Sequence, residues 1–281
     1  MEKLTRVNFT NLDKILYPEL AVTKKEVIEH YINVAPKMLP FLKKRLVVVT
    51  RYPEGITSEG FYGKDAPKGK PEWVRTHRVH SDSADRDLDY IVTDDIDTLL
   101  WLANLASLEI HIPPSRIDSN PDIMLFDIDP EPPAGFLEAV SVAKTLNELL
   151  GSLGLESYVK TTGKKGLHVL IPLEPVYTYQ QTREFVHQIG RYLSKELENV
   201  VSEKTQSQIP GTVYIDYLQN SRGRTMVCPY SLRAEPDATV STPVSWEELD
   251  GLKPADLNIF SVSRRNDPWI DFWENRQRLE V

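Results

Sequence analysis

The stretch Ile123-Met-Leu-Phe-Asp-Ile-Asp129 constrains this chain more than any other, because it sets two carboxylates at the end of an otherwise apolar run. Such a run, halted at Pro130, predicts a buried strand, since the proline ring cannot continue a central ladder. Residues i and i+2 of a strand point to the same face, so Asp127 and Asp129 converge. Neighbouring carboxylates repel each other, and burying such charge without a partner costs on the order of several kcal/mol. A divalent ion with hard oxygen ligands, magnesium or manganese, resolves that conflict. A pair of such ions about 3.5–4 Å apart can clamp both the attacking and the leaving oxygen of a phosphoryl transfer. The competing account is an ordinary surface turn, in which D-x-D also occurs by chance.

A third acid, Asp216, stands in a similar setting, Val213-Tyr-Ile-Asp-Tyr217. Three acids on neighbouring strands would complete a two-metal site; pairing of Asp216 with an arginine such as Arg224 is the alternative. Ser157 to Thr161 and Leu167 to Ile171 read as strands joined by Thr162-Gly-Lys-Lys-Gly166, a hairpin with charge at its tip. It offers a triphosphate a hydroxyl, backbone amides at two glycines, Lys164 and Lys165, and His168 on the returning strand. Because it joins two strands rather than opening a helix, it is not a Walker A loop. His168 alternates away from Leu167 and Val169, which suits either a phosphate ligand or a structural histidine. Arg233, in Tyr230-Ser-Leu-Arg233, is either a surface arginine or a planar phosphate clamp.

Elsewhere, the capping box Thr23-Lys-Lys-Glu26 predicts a helix to about Met38, ended by Pro40. Leu46 to Arg51 predicts a buried strand bounded by Pro53-Glu-Gly55. Asp97 to Leu108 reads as a core helix with a nearly all-round apolar surface. Ala134 to Leu150 reads as a helix closed by Gly151, with Leu137, Val140, Leu146 and Leu150 apolar, and Tyr179 to Glu198 as a longer one. Thr225 to Val227 predicts a strand and Ser245 to Leu249 a short helix. The sum is α+β (mixed α/β), with a largely antiparallel central sheet flanked by helices. Without repeats or a long linker, the expectation is one catalytic domain over 1–281, its N-terminal portion of about 1–110 packing on a core of about 111–250.

Composition narrows the function classes. With 281 residues, 41% of them hydrophobic, the chain can bury a sizeable core, which excludes disorder for most of it. The only cysteine, Cys228, excludes an internal disulfide and a thiolate zinc cage. A net charge of −8 argues against coating nucleic acid through bulk positive charge, so any such contact is local. Ser81 to Thr98 carries seven aspartates (82, 85, 87, 89, 94, 95, 97) against Arg86. Basic residues gather at Lys24/Lys25, Lys43/Lys44/Arg45, Lys160/Lys164/Lys165 and Arg222/Arg224/Arg233, and the 43–45 group reads as a solvated face. MEKLTRVNFT has no apolar signal core, and no stretch approaches the roughly 18 apolar residues of a membrane span. A cytoplasmic protein is the expectation.

The ordered motifs L-F-D-I-D-P, T-T-G-K-K-G-L-H-V, Y-I-D-Y-L-Q-N-S-R-G-R-T and P-Y-S-L-R-A together resemble the polymerase domain of bacterial ATP-dependent DNA ligase D, of the archaeo-eukaryotic primase superfamily. The resemblance runs from Asn11-Leu-Asp-Lys-Ile-Leu-Tyr-Pro18 through Arg51-Tyr-Pro53 and Glu59-Gly-Phe-Tyr62 to Ser241-Thr-Pro-Val-Ser-Trp246. It implies a primase-polymerase catalytic core and a template-dependent nucleotidyltransferase that fills gaps at DNA ends in non-homologous end joining. It also implies two manganese or magnesium ions and a preference for ribonucleotides. By the same match Asp127, Asp129 and Asp216 hold the metals, and Thr162, Lys165, His168, Gln219 and Arg233 contact the NTP or dNTP. Lys14 and Lys24 grip the 5′-phosphate of a DNA end, and Phe61 and Tyr62 stack on nucleic acid. A Ku-type end-binding protein and a separately encoded DNA ligase are the implied partners. Departures are Thr162 where serine is usual, Tyr62 where a second phenylalanine is frequent, a 202–212 segment whose one basic residue is Lys204, and Glu235 where another basic residue is common.

Three rivals lead elsewhere. A nucleotide-sugar glycosyltransferase also holds a metal with D-x-D, but leaves Asp216 and the hairpin unexplained. A haloacid-type phosphatase would carry D-x-D near the chain start with a small hydroxyl residue where Pro130 stands. A catalytically silent DNA-end bridging module needs only Lys14, Lys24 and the aromatics.

Overall fold

A computed structural model describes residues 5–81 and 85–279; Asp82 of the acidic run and residues 1–4 of the N-terminal segment lie outside them. The chain divides into two compact units, each assembled from three segments. Unit 1 comprises Met1–Pro113, Val227–Val240 and Leu257–Arg265, and unit 2 comprises Pro114–Met226, Ser241–Asp256 and Asn266–Val281.

Unit 1 opens with the two-stranded pair β1 (Ile15–Tyr17) and β2 (Val22–Thr23), followed by α1 (Lys24–Leu42). The capping box forms as the sequence implies, with Thr23 and Glu26 each bonding the other's backbone amide. The helix nevertheless runs through Pro36 and Pro40 to Leu42. A proline removes one intrahelical donor and crowds the preceding turn. Burial of Phe41 and Leu42 offsets that loss, and Lys43 N closes the helix on Leu39 O. Arg45 is no part of a solvated face: it is fully buried, donating to Phe41 O and Pro113 O.

β3 (Leu46–Arg51) has the predicted bounds and pairs with β4 (Phe61–Gly63), β6 (Arg86–Val92) and β7 (Ser107–Ile112), all antiparallel. β5 (Thr76–Ser81) pairs with β6. Much of the acidic run is spent here on pairing and capping: Asp89 on Arg78, Asp87 on His80, Asp94 on Arg75, and Asp95 as the N-cap of α2 (Ile96–Asn104). That helix stops four residues before the predicted end. Ala106 adopts a left-handed turn at φ 57°, and Ser107 and Leu108 already belong to β7.

Unit 2 is built on β8 (Ile123–Pro130), α3 (Phe136–Ser152), β9 (Tyr158–Thr161), β10 (Leu167–Pro172), α4 (Tyr179–Glu196), β11 (Val200–Val201) and β12 (Val213–Asp216). The chain then adds β13 (Met226–Val227) beside β7 and returns with β14 (Pro243–Val244). The six-stranded sheet runs β11-β12-β8-β10-β9-β14, antiparallel except at β11–β12. Pro130 is the last residue of β8 and faces Val213; Glu131 N still donates to Thr212 O at 2.8 Å, one position beyond it. α3 continues one residue past Gly151 and leaves Leu137 71% exposed, so that leucine is not a core position. The result is mixed α/β with largely antiparallel sheets, as the strand and helix patterns imply, although the strands are shared between two larger sheets. Among the described residues no helix is long and apolar enough to cross a membrane.

Candidate active site

β8 owes its central position to the buried Ile123, Met124, Leu125, Phe126 and Ile128. Asp127 lies directly opposite Asp216 on β12 and directly opposite His168 on β10. Asp129, two residues on, shares the face with Asp127 and lies opposite Tyr214. Directly opposed Cβ atoms stand about 4.5–5.5 Å apart in an antiparallel pair, so three carboxylates and an imidazole converge on one patch of one sheet.

Each acid has turned to a protein partner. Asp127 meets His168 Nε2 at 3.3 Å, and Asp129 meets Lys165 Nζ at 3.2 Å, with Glu131 3.8 Å from the same ammonium. Asp216 accepts from Leu218 N at 3.0 Å, Tyr214 Oη at 3.1 Å and Gln219 Nε2 at 3.4 Å, rather than pairing with Arg224. Burial first, and then the charge on Asp127, push both Asp129 and Asp216 above the usual carboxylate range, against the pull of Lys165 on the one and of Leu218, Tyr214 and Lys204 on the other. Among the described residues no three His, Cys, Asp or Glu side chains already stand close enough to cage a metal ion. The donor set nevertheless suits one. It is all hard oxygen, its members share a face, and their mutual repulsion is what a divalent cation relieves.

The hairpin turn is held by its own threonine. Thr162 Oγ1 donates to Gly166 O at 3.0 Å and accepts from Lys164 N and Gly166 N at 3.3 Å, drawing two amides toward one oxygen. Gly163, at φ 73°, supplies the left-handed residue that the turn needs. Gly166 is required for a different reason: a Cβ there would sit 2.5 Å from Ile128 O, so only glycine lets the hairpin approach β8 this closely.

Five sequence-predicted residues belong to unit 1. Lys14 pairs with Glu54 at 2.7 Å. Lys24 is buried, donating to Asn104 O at 3.0 Å, and burial followed by the charge of Lys14 lowers its pKa, so the two ammonium groups feel each other. Phe61 and Tyr62, each 58% exposed, are successive residues of β4 and therefore face opposite ways. Arg233 is paired with Glu109, Nε to Oε1 at 3.0 Å. Unit 2 brings together Asp127, Asp129, Asp216, Thr162, Lys165, His168 and Gln219.

Sequence reasoning missed three supporting residues. Tyr214 buttresses Asp216 and carries Lys204 5.5 Å over its ring; its position two residues before the acid was the available signal. Asn220 takes both Leu125 N (3.0 Å) and Leu125 O (2.7 Å) with its side-chain amide, continuing on β8 the ladder that β12 leaves at Asp216. Glu109 lies just beyond a helix that was read too long, where nothing marked it.

The family model for the LigD primase-polymerase domain matches residues 23–273. The chain belongs to that family. LigD primase-polymerase domains form a family of metal-dependent nucleotidyltransferases, and by that membership the chain is an enzyme of the primase-polymerase type. It is 38% identical over 280 residues to the bifunctional non-homologous end joining protein LigD of Bacillus subtilis, covering 97% of this chain and 45% of that protein. It is 31% identical over 276 residues to the multifunctional LigD of Mycolicibacterium smegmatis, covering 96% of this chain and 36% of the relative. The chain thus spans less than half the length of these relatives. Among solved structures it resembles the polymerase domain of Mycobacterium tuberculosis ligase D in complex with DNA, with a TM-score of 0.89 and 30% identity, over 97% of this chain and all of that one.

Proposed function

We propose that this chain is a template-dependent polymerase that fills short gaps at DNA ends in non-homologous end joining, with a preference for ribonucleotides. The observation that carries the reading is the register of Asp127, opposite Asp216 and on one face with Asp129, beside a hairpin that gathers amides and an ammonium. The relatives named for end joining, and the related polymerase domain solved with DNA, support the setting.

In this reading the three aspartates hold two magnesium or manganese ions. When bound, those ions supply Lewis-acid activation of the primer 3′-hydroxyl and neutralise the triphosphate. The chain's own residues do the rest. Lys165, released from Asp129, and Arg233 offset charge on the phosphates, and Thr162, whose hydroxyl holds the hairpin turn together, contacts the triphosphate beside them. His168 binds a phosphate and orients Asp127 rather than acting as a base. Gln219 holds Asp216 and reaches the nucleotide. In unit 1, Lys14 and Lys24 grip a 5′-phosphate, an anion that relieves the repulsion between them, while Phe61 and Tyr62 stack on bases. A Ku-type end-binding protein and a DNA ligase complete the reaction.

The test is extension of a labelled primer on a gapped duplex with a downstream 5′-phosphate, in manganese, comparing four NTPs and four dNTPs for wild type and Asp127→Ala. Template-matched addition by wild type alone supports the reading. Folded wild-type protein that binds the end and adds nothing overturns it in favour of a bridging module.

A further inference from the structure

Glu109 is the most developed ionic group outside the acid patch. It shares one face of β7 with His111 and lies opposite Thr50 of β3. Its side chain is 9% exposed. Oε1 accepts from Arg233 Nε at 3.0 Å and from Ala234 N at 3.2 Å, while Oε2 stands 3.4 Å from His111 Nε2. Burial alone would raise its pKa, but the His111 bond, the charge of Arg233 and the Ala234 amide reverse that and hold the carboxyl at about 2. The backbone of Arg233 is pinned as well: its N–H donates to Thr239 O, and its carbonyl accepts from the fully buried Tyr17 hydroxyl. A solvated arginine needs none of this. In a guanidinium the hydrogen-bond directions lie in one plane, so a contact on the Nε edge fixes the direction of the whole fork.

We propose that Glu109 is a positioning residue that sets the plane of the Arg233 guanidinium and thereby the affinity for the triphosphate of the incoming nucleotide. The inference rests on the reading of Arg233 as a triphosphate ligand. Glu109 does not itself touch the nucleotide. Its negative charge, taken alone, opposes a polyanion, so positioning and simple neutralisation predict opposite signs when the charge is removed.

The test measures KM for NTP, kcat and DNA-end affinity in Glu109→Gln, Glu109→Ala, Arg233→Gln and the double variant Glu109→Gln/Arg233→Gln, with thermal melting to verify folding. Positioning predicts that KM for NTP rises about three- to tenfold in Glu109→Gln and further in Glu109→Ala. It also predicts kcat and end affinity near wild type, and no added effect of Glu109→Gln in the Arg233→Gln background. A fall in KM, or additive effects in the double variant, overturns the proposal. If Arg233→Gln raises KM and Glu109→Gln does not, the positioning role fails while the reading of Arg233 stands. If Arg233→Gln leaves KM unchanged, that reading fails and the proposal with it. Should the Gln and Ala variants not fold, Glu109→Asp keeps the charge but withdraws it by one methylene, and the same rise in KM is expected; an unchanged KM there overturns the proposal.

Discussion

Replacing Gly166 by alanine tests how tightly the phosphate hairpin must sit on the acid-bearing strand. The added methyl would lie 2.5 Å from Ile128 O, 3.5 Å from Ile128 C and 3.7 Å from Asp129 Cα. The oxygen belongs to the backbone of a central strand and cannot rotate away. Restoring even 3.0 Å, the shortest distance real Cβ atoms tolerate, moves the hairpin off β8 by at least 0.5 Å. The shift passes directly to Lys165, the preceding residue, whose Nζ is 3.2 Å from Asp129 Oδ1. Overpacking of this kind costs about 1–3 kcal/mol, and in a chain of this size about 2–4 °C of Tm per kcal/mol. Because a misplacement of about 1 Å can cost on the order of 100-fold in rate, half that shift predicts a loss of about tenfold. The assay is single-nucleotide addition in manganese at saturating NTP, alongside a melting curve. A Tm within a degree of wild type and an unchanged rate would refute the argument that close approach of Gly166 to Ile128 builds the site.

Three other outcomes are expected. Asn220→Ala leaves Leu125 N and Leu125 O unpaired in a buried setting, at about 1–3 kcal/mol each; denaturant unfolding should show a loss of at least about 2 kcal/mol, and a smaller one would mean that water replaces the amide. In metal-free buffer Asp129→Asn should raise Tm at pH 7.5. The folded pKa of Asp129 is raised, so its ionisation removes stability as pH climbs from the usual carboxylate range through the folded value; the gain shrinks as pH is lowered toward that range, and a gain that grows at lower pH would contradict the sign. Lys14→Ala should erase the preference for 5′-phosphorylated over 5′-hydroxyl ends in a binding titration, and an undiminished preference would remove Lys14 from the phosphate grip.

The acid patch was legible because its strands are chemically uniform. Apolar Ile123 to Phe126 favoured a strand over a surface turn, and a period of two then set Asp127 and Asp129 on one face. The glycines and lysines of 162–166 similarly marked a turn between two apolar strands. What stayed hidden depends on partners remote in sequence. The apolar run Leu99 to Leu108 looks helical throughout, and only the left-handed turn at Ala106 divides helix from strand. On β5 and β6, the pairs Arg78–Asp89 and His80–Asp87 satisfy each other across the hairpin, so the alternation of charge concealed two strands. Pro40 reads as a stop because its cost is local, whereas the burial that offsets it is not. Asn220 is a polar residue after a strand until Leu125 is brought beside it.

The threefold segmentation of unit 1 bears on the order in which the protein can be made. His30 contacts Tyr230 O, Tyr31 donates to Leu108 O and accepts from Leu232 N, and Lys37 donates to Arg265 O. On a ribosome adding about 5–20 residues per second, α1 emerges roughly 10–40 s before Tyr230 and Leu232, which complete its cover about 200 positions later. For that interval its apolar face, with Val27, Tyr31, Val34 and Met38, lacks the part of its native cover that comes from Tyr230, Leu232 and Arg265, and the nascent chain depends on its surroundings to keep that face from other chains. Stop codons anywhere before Arg265 should therefore yield insoluble products rather than a shortened working enzyme.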